Sequence, residues 1–180
     1  GKEKQDSIKK LEMFDMNKIF VEFENKFWGD FHSMSFIYSE KERVYDLVVN
    51  LSVIHDKNCL LFMIAGDIAL KYLQEKTEEE IKLDIIKLLK TYYPEANIKI
   101  TKIKMTDWSK DEFTLGSFSE YSADPKYRKP FSVPEGRLIM AGEHSHLTYN
   151  SFVYGAYQTG VRAVKQLIKI ANLKCGRKLK

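Results

Sequence analysis

Several things are scarce or missing in these 180 residues. Cysteine occurs twice, as Cys59 inside the apolar run CLLFMIAG and as Cys175 in the basic tail, which gives no disulfide framework and points to reduced, intracellular thiols. No stretch approaches the ~18 consecutive apolar residues of a membrane span. The charged, helix-like start GKEKQDSIKKLEMF has no signal-peptide core. Gly-x-Ser-x-Gly, the Walker loop and G-x-G-x-x-G are absent, which disfavours nucleophilic hydrolysis and leaves no encoded phosphate cradle. AGDIAL and LGSFSE hold too little glycine to serve instead.

What is present describes a globular chain, with 44% hydrophobic residues. The net charge of +4 comes mainly from scattered lysines, denser only in KCGRKLK, so a solvated tail fits better than a nucleic-acid surface. There is no internal repeat.

In NKIFVEF, residues Ile19, Val21 and Phe23 alternate with Lys18, Phe20 and Glu22, which predicts a strand with Lys18 pointing away from the Ile19 face. SFIYSE and YDLVVNLSVI read as further strands, and CLLFMIAG as a strand buried on both faces of a mixed sheet. Thr77 followed by Glu80 makes a capping box, and Ile81, Ile85, Leu88, Leu89 and Tyr92 keep helical spacing until Pro94. NIKITKIKM returns to strand, a long loop-rich passage runs from Thr106 to Gly136, and RLIMAG reads as a short strand. Trp108, Gly116, Phe118 and Tyr121 fall in that passage, which is long enough to be expected to line a site. A last helix is predicted from about Phe152 to Asn172, with Val153, Ala156, Gly160, Val164, Leu167 and Ala171 as its inner stripe. Gly and Ala in its first turns permit close approach, and its free N–H groups would face something small, flat and partly negative.

Each chemical candidate has a plainer alternative. Glu143, His144 and His146 could form a metal trio, but the spacing is no specific metal signature and loop hydrogen bonding explains them as well, so no metal is expected. Phe118 and Phe152 read as core on spacing alone. Lys18 alone reads as an exposed edge charge.

Taken in order, NKIFVEFENKFW, Trp108, GSFS, AGEH and YNSFVYGAYQTG resemble the flavin-dependent amine oxidases over nearly the whole chain, and GEHSHLTYNSFVYGAYQTG looks most like the polyamine oxidases. The resemblance implies an α+β fold. Residues 7–105 would form a mixed sheet with flanking helices in the substrate domain, and 106–180 the carboxy-terminal part of the FAD-binding domain. It also implies oxidation of an amine C–N bond by hydride transfer to FAD, with O₂ as final acceptor. Lys18 would hold a water at flavin N5, and Trp108 would lie against the flavin. Phe118 and Phe152 would frame the amine, where many relatives carry Tyr. Gly142 and Glu143 would meet the ribityl and phosphate part, Val153 would offer its N–H to the pyrimidine oxygen, and Ala156 would allow close packing. Ser117 stands where monoamine oxidases carry a flavin-linked cysteine, so FAD is expected to be non-covalent. Tyr154 stands where His is often found.

Family members open with a Rossmann unit that this chain does not contain. The expectation is therefore a carboxy-terminal fragment, with Gly1 a tag remnant. Alone it should lack activity and associate through the face the amino-terminal half would cover. A lysine-specific histone demethylase is the alternative within the same chemistry, and a non-catalytic interaction domain the alternative of another class. The expected compartment is cytoplasmic, or nuclear for a demethylase.

Overall fold

The computed structural model describes residues 1–36, 44–120 and 122–175. In chain order the elements are α1 (Lys2–Lys10), β1 (Met13–Phe14), β2 (Met16–Phe23), β3 (Ser33–Met34), β4 (Leu47–Asn50), β5 (Cys59–Ala65), α2 (Gly66–Glu75), α3 (Glu78–Tyr92), β6 (Ile100–Met105), β7 (Phe118–Ser119) and α4 (Val153–Cys175). They fall into two compact units. One is Asp15–Ser117, and the other joins Gly1–Phe14 to the chain from Phe118 onward.

The Asp15–Ser117 unit is a sheet in the order β3-β4-β5-β2-β6. Among the described residues every strand pair in it is antiparallel, which corrects the expectation of a mixed sheet. The reason is topological: β5 and β6 both run antiparallel to β2, so they share a direction, but β2 lies between them and no parallel pair forms. Ile19, Val21 and Phe23 are buried and Lys18 is exposed, as alternation requires. Leu60, Leu61, Phe62 and Ile64 of β5 are buried, in keeping with a central strand.

Helix α3 begins with the reciprocal capping box, in which Glu80 N–H donates to Thr77 Oγ1 at 3.3 Å and Thr77 N–H to Glu80 Oε2 at 2.8 Å. It buries Ile81, Ile85 and Leu89 in the same core as Ile19, Phe62 and Ile64. Tyr92, expected on that stripe, is largely exposed. Helix α2 went unread in the sequence, although Asp67 in its first turn and the Ala69/Tyr72 spacing mark it. Gly66, at φ 72°, turns β5 directly into it.

The strand expected over YDLVVNLSVI stops at Asn50. The fully buried Asn50 carboxamide accepts the Ser52 N–H at 3.1 Å and donates to Phe31 O at 2.8 Å, which starts a 3₁₀ turn instead. Of SFIYSE, residues 37–40 lie outside the described residues, as do Tyr121 and most of the basic tail; the neighbouring strand is Ser33–Met34.

In the other unit, β1 and β7 pair antiparallel and stack Phe14 on Phe118 with ring centres 5.2 Å apart. The passage RLIMAG is not a strand. Leu138 makes only an isolated bridge with Glu135, and further on the backbone meets α4 side chains: Arg162 donates to Met140 O at 3.0 Å, while Gly142 N–H donates to Thr159 Oγ1 at 3.0 Å. Helix α4 also turns opposite to expectation. Gly155 and Thr159 are buried, whereas Val153, Val164 and Leu167 are exposed. The inward face is the polar one, because the turn before the helix needs donors more than it needs apolar cover.

Candidate functional site

Two separate constellations contain the residues singled out in the sequence. In the Asp15–Ser117 unit, Lys18 and Trp108 are linked by hydrogen bonds. Lys18 N–H donates to Thr106 Oγ1 at 2.9 Å, Thr106 N–H donates to Lys18 O at 3.0 Å, and the Thr106 hydroxyl donates to Asn17 Oδ1 at 3.1 Å. The Trp108 N–H donates to the same Asn17 oxygen at 3.1 Å. The Trp108 residue remains 40% exposed, enough to offer an aromatic face to a ligand. Ser117 ties the other end of this loop to β2, accepting from Met16 N–H at 2.8 Å and donating to Met16 O at 2.6 Å.

Asp107, between Thr106 and Trp108, is pushed up by burial, but hydrogen bonds from Lys110 and Ser109 outweigh this and hold its carboxyl below the ordinary range. Asp15 sits above that range through burial and the nearby Asp107 and Asp67 charges.

In the other unit, Phe118, Gly142, Glu143, Phe152, Val153 and Ala156 come together around the start of α4. Glu143 is the centre: Ser119 N–H donates to Oε1 at 3.0 Å, and the Ser119 hydroxyl donates to Oε2 at 2.7 Å. The Ser151 N–H also donates to Oε2. Gly142, at φ 127°, makes the turn that L side chains rarely adopt, and the 3₁₀ turn Glu143–Ser145 follows. Thr159 closes that turn from α4, its single hydroxyl proton facing both Gly142 O at 3.0 Å and Ala156 O at 2.9 Å.

Phe152 is 44% exposed and stacks on Tyr154 at 5.2 Å, which corrects its reading as core; Phe118 is half-buried. Val153 is 88% exposed at the first position of α4, where an N–H has no partner within its own helix.

His144 and His146 do not join Glu143 as ligands. His146 Nδ1 accepts from Thr148 and Tyr149 N–H, so its Nε2–H donates to Gln158 at 2.8 Å and both nitrogens are engaged. The His144 ring packs edge-on to Phe131, and burial holds its pKa below the usual imidazole range. Among the described residues no group of three or more His, Cys, Asp or Glu is placed to hold a metal ion, and no helix is long and apolar enough to cross a membrane.

Two residues carry more of this geometry than the sequence suggested. Arg128 is fully buried and donates to Ser119 Oγ, His144 O and Glu120 O, yet nothing distinguishes it in sequence from the lysines beside it. Asn17 did leave a signal, since it shares parity with Ile19 and Val21 and must therefore point inward.

A family model described as flavin containing amine oxidoreductase matches residues 1–168. The chain belongs to this family. The chain is 28% identical over 176 residues to polyamine oxidase 1 of Zea mays and 29% identical over 174 residues to polyamine oxidase 6 of Oryza sativa subsp. japonica. Each match covers 93% of this chain and 35% of the relative. It is also 25% identical over 184 residues to lysine-specific histone demethylase 1 homolog 3 of Oryza sativa subsp. indica, covering 97% of this chain and 23% of that protein. The chain thus spans about a third of the polyamine oxidases it matches.

Proposed function

We propose that the protein carrying this chain oxidises an amine C–N bond with non-covalently bound FAD, and that its substrate is a polyamine. The observation that carries the proposal is the pairing of Lys18 with Trp108. An exposed cation stands on a strand whose two flanking residues are fully buried, and Trp108, itself 40% exposed, is tied to that strand by its backbone N–H on Asn17, beside Thr106. The family match supports the chemistry, and the identity to polyamine oxidases supports the substrate class. When bound, FAD would supply the hydride acceptor for oxidation of the carbon beside the amine nitrogen, with O₂ as the final electron acceptor.

The chain's own residues fit a flavin in each unit taken separately. The exposed first turn of α4 offers the Val153 N–H and the positive end of the helix dipole to a ring carbonyl. Glu143 takes three protein hydrogens into about four lone-pair sites, which leaves room for about one more donor. A ribityl hydroxyl satisfies that vacancy, whereas a phosphate oxygen would meet a like charge, so Glu143 is assigned to the ribityl chain. Gly142 and Ala156 keep the approach open beside it. Phe118 and Phe152 would frame the amine with apolar surface that keeps its nitrogen neutral. Lys18 would orient a water, and Trp108 would cover one edge of the ring. Ser117, with its hydroxyl committed to Met16, has no thiol to form a flavin link.

An absorbance spectrum of the full-length protein tests the reading. Flavin bands that bleach on adding a linear polyamine under nitrogen and return with air are expected, with all yellow colour released by acid precipitation. No bands after FAD addition would instead favour a non-catalytic interaction domain, and bleaching by a methyllysine peptide alone would favour the demethylase, the reading that the histone demethylase relative supports.

A further inference from the structure

We infer that Asn17 is a positioning residue that fixes Trp108 to the Lys18 strand. This deepens the proposed flavin site and rests on that reading for its functional meaning. Asn17 occupies the inward row of β2 with Ile19, Val21 and Phe23, and it is the polar member of that row. An apolar residue would continue the row without any need for partners. The carboxamide is fully buried, and its Nδ2 has no hydrogen-bond partner, a cost the fold carries. What holds the side chain is its oxygen alone, which accepts from the Thr106 hydroxyl and the Trp108 N–H, both at 3.1 Å. The Trp108 backbone N–H can only donate and so requires an oxygen acceptor, which determines the orientation of the amide.

The chain of bonds runs from Lys18 N–H to the Thr106 hydroxyl, on to Asn17 Oδ1, and back from Trp108 N–H. It leaves β6 at Met105 and sets where the backbone turns into the Trp108–Lys110 3₁₀ helix. Without the Asn17 oxygen, the Trp108 end of that turn loses its hold on the strand, while Thr106 stays bonded to the Lys18 backbone. The indole would then sample other places while the apolar core around Ile85 stayed as it is.

The test uses full-length protein labelled with 5-fluorotryptophan, with the fluorine resonances of Trp108 and Trp28 assigned by Trp108→Phe and Trp28→Phe. Three variants are compared: Asn17→Leu, which keeps shape and removes the acceptor; Thr106→Val, which removes the hydroxyl alone; and Thr106→Ser, which restores it. The expected result is a shifted or broadened Trp108 resonance in Asn17→Leu and Thr106→Val, an unmoved Trp28 resonance, and recovery in Thr106→Ser. If Asn17→Leu fails to fold, Thr106→Val and Thr106→Ser decide the question. An unmoved Trp108 resonance, or movement of both tryptophans together, overturns the inference. Because this signal is read without flavin, failure of the flavin reading appears separately, as missing bands in the spectrum.

Discussion

The fully buried Arg128 guanidinium donates to Ser119 Oγ at 2.9 Å, and that hydroxyl donates onward to Glu143 Oε2 at 2.7 Å. Burial lowers the Arg128 pKa from its usual value, with the Glu143 and Glu120 charges opposing the shift. A guanidinium keeps its proton regardless, so the cation is committed to its acceptors. Arg128→Met should therefore destabilise the protein by about 3–5 kcal/mol, because the Ser119 hydroxyl and the His144 and Glu120 carbonyls lose their donor and the nearby Glu143 charge loses its cation. Ser119→Ala should cost less, about 1–3 kcal/mol. Denaturant unfolding of the full-length protein measures both, and losses under about 0.5 kcal/mol for Arg128→Met would show the network to be ornamental.

His144 gives the fold a pH dependence. Burial lowers its pKa, the Arg128 and Arg162 charges lower it further, and Glu143 opposes them. Unfolded, it binds a proton near pH 6.5; folded, it does so only at lower pH. Between those values the unfolded chain holds more protons. Stability is then fully present above about pH 6.5 and falls on acidification, by at most about 1.4 kcal/mol per pH unit. His144→Leu should flatten that slope. Denaturation midpoints between pH 7.5 and 5 read it, and identical slopes for both proteins would remove His144 as the cause.

The parts of this fold legible in sequence were those whose pattern is local. Alternation in β2 placed Lys18 outward, and the Thr77/Glu80 box with its helical spacing placed α3. RLIMAG misled because a strand is a statement about a neighbour, and among the described residues it finds only a one-residue bridge at Leu138 before its backbone meets helix side chains. The face of α4 misled for a related reason. Its apolar residues outnumber the polar ones that pack, but Thr159, Arg162 and Gln166 answer carbonyls of Gly142, Met140 and Ser132 that no apolar residue could satisfy. Glu143 was singled out by its motif, whereas the donations it receives from Ser119 and Ser151 follow only from the folded turn.

Lys18 separates a functional cation from a solvated strand charge. Lys18→Met in the full-length protein should leave stability within about 0.5 kcal/mol, since the residue is exposed, and under the proposed function the change should appear in the flavin chemistry. Flavin reoxidation by O₂ should slow tenfold or more, a barrier increase of about 1.4 kcal/mol or greater that one positioned group can supply. Stopped-flow mixing of the reduced full-length protein with O₂ gives the rates. Equal rates for mutant and wild type would return Lys18 to an ordinary surface charge.

Two glycines in α4 should respond to the same substitution with opposite signs. A Cβ at Gly155 would lie 1.8 Å from Tyr149 O and 2.8 Å from its carbonyl carbon, both backbone atoms that cannot swing aside. One at Gly160 would meet nothing within 4 Å. Alanine is favoured over glycine in a helix interior by about 0.8–1.0 kcal/mol, so Gly160→Ala should stabilise by up to that amount. At Gly155 the same propensity gain acts, but the helix start must move off the Tyr149 carbonyl, and overpacking of this kind costs about 1–3 kcal/mol. Gly155→Ala should therefore be destabilising on balance. It should also displace the Val153 N–H that the proposed flavin contact requires, raising the FAD dissociation constant, while Gly160→Ala leaves it unchanged. Thermal unfolding and FAD titration of the two variants, run together, check both parts. Stabilisation by Gly155→Ala would mean that the first turn of α4 is not seated on Tyr149.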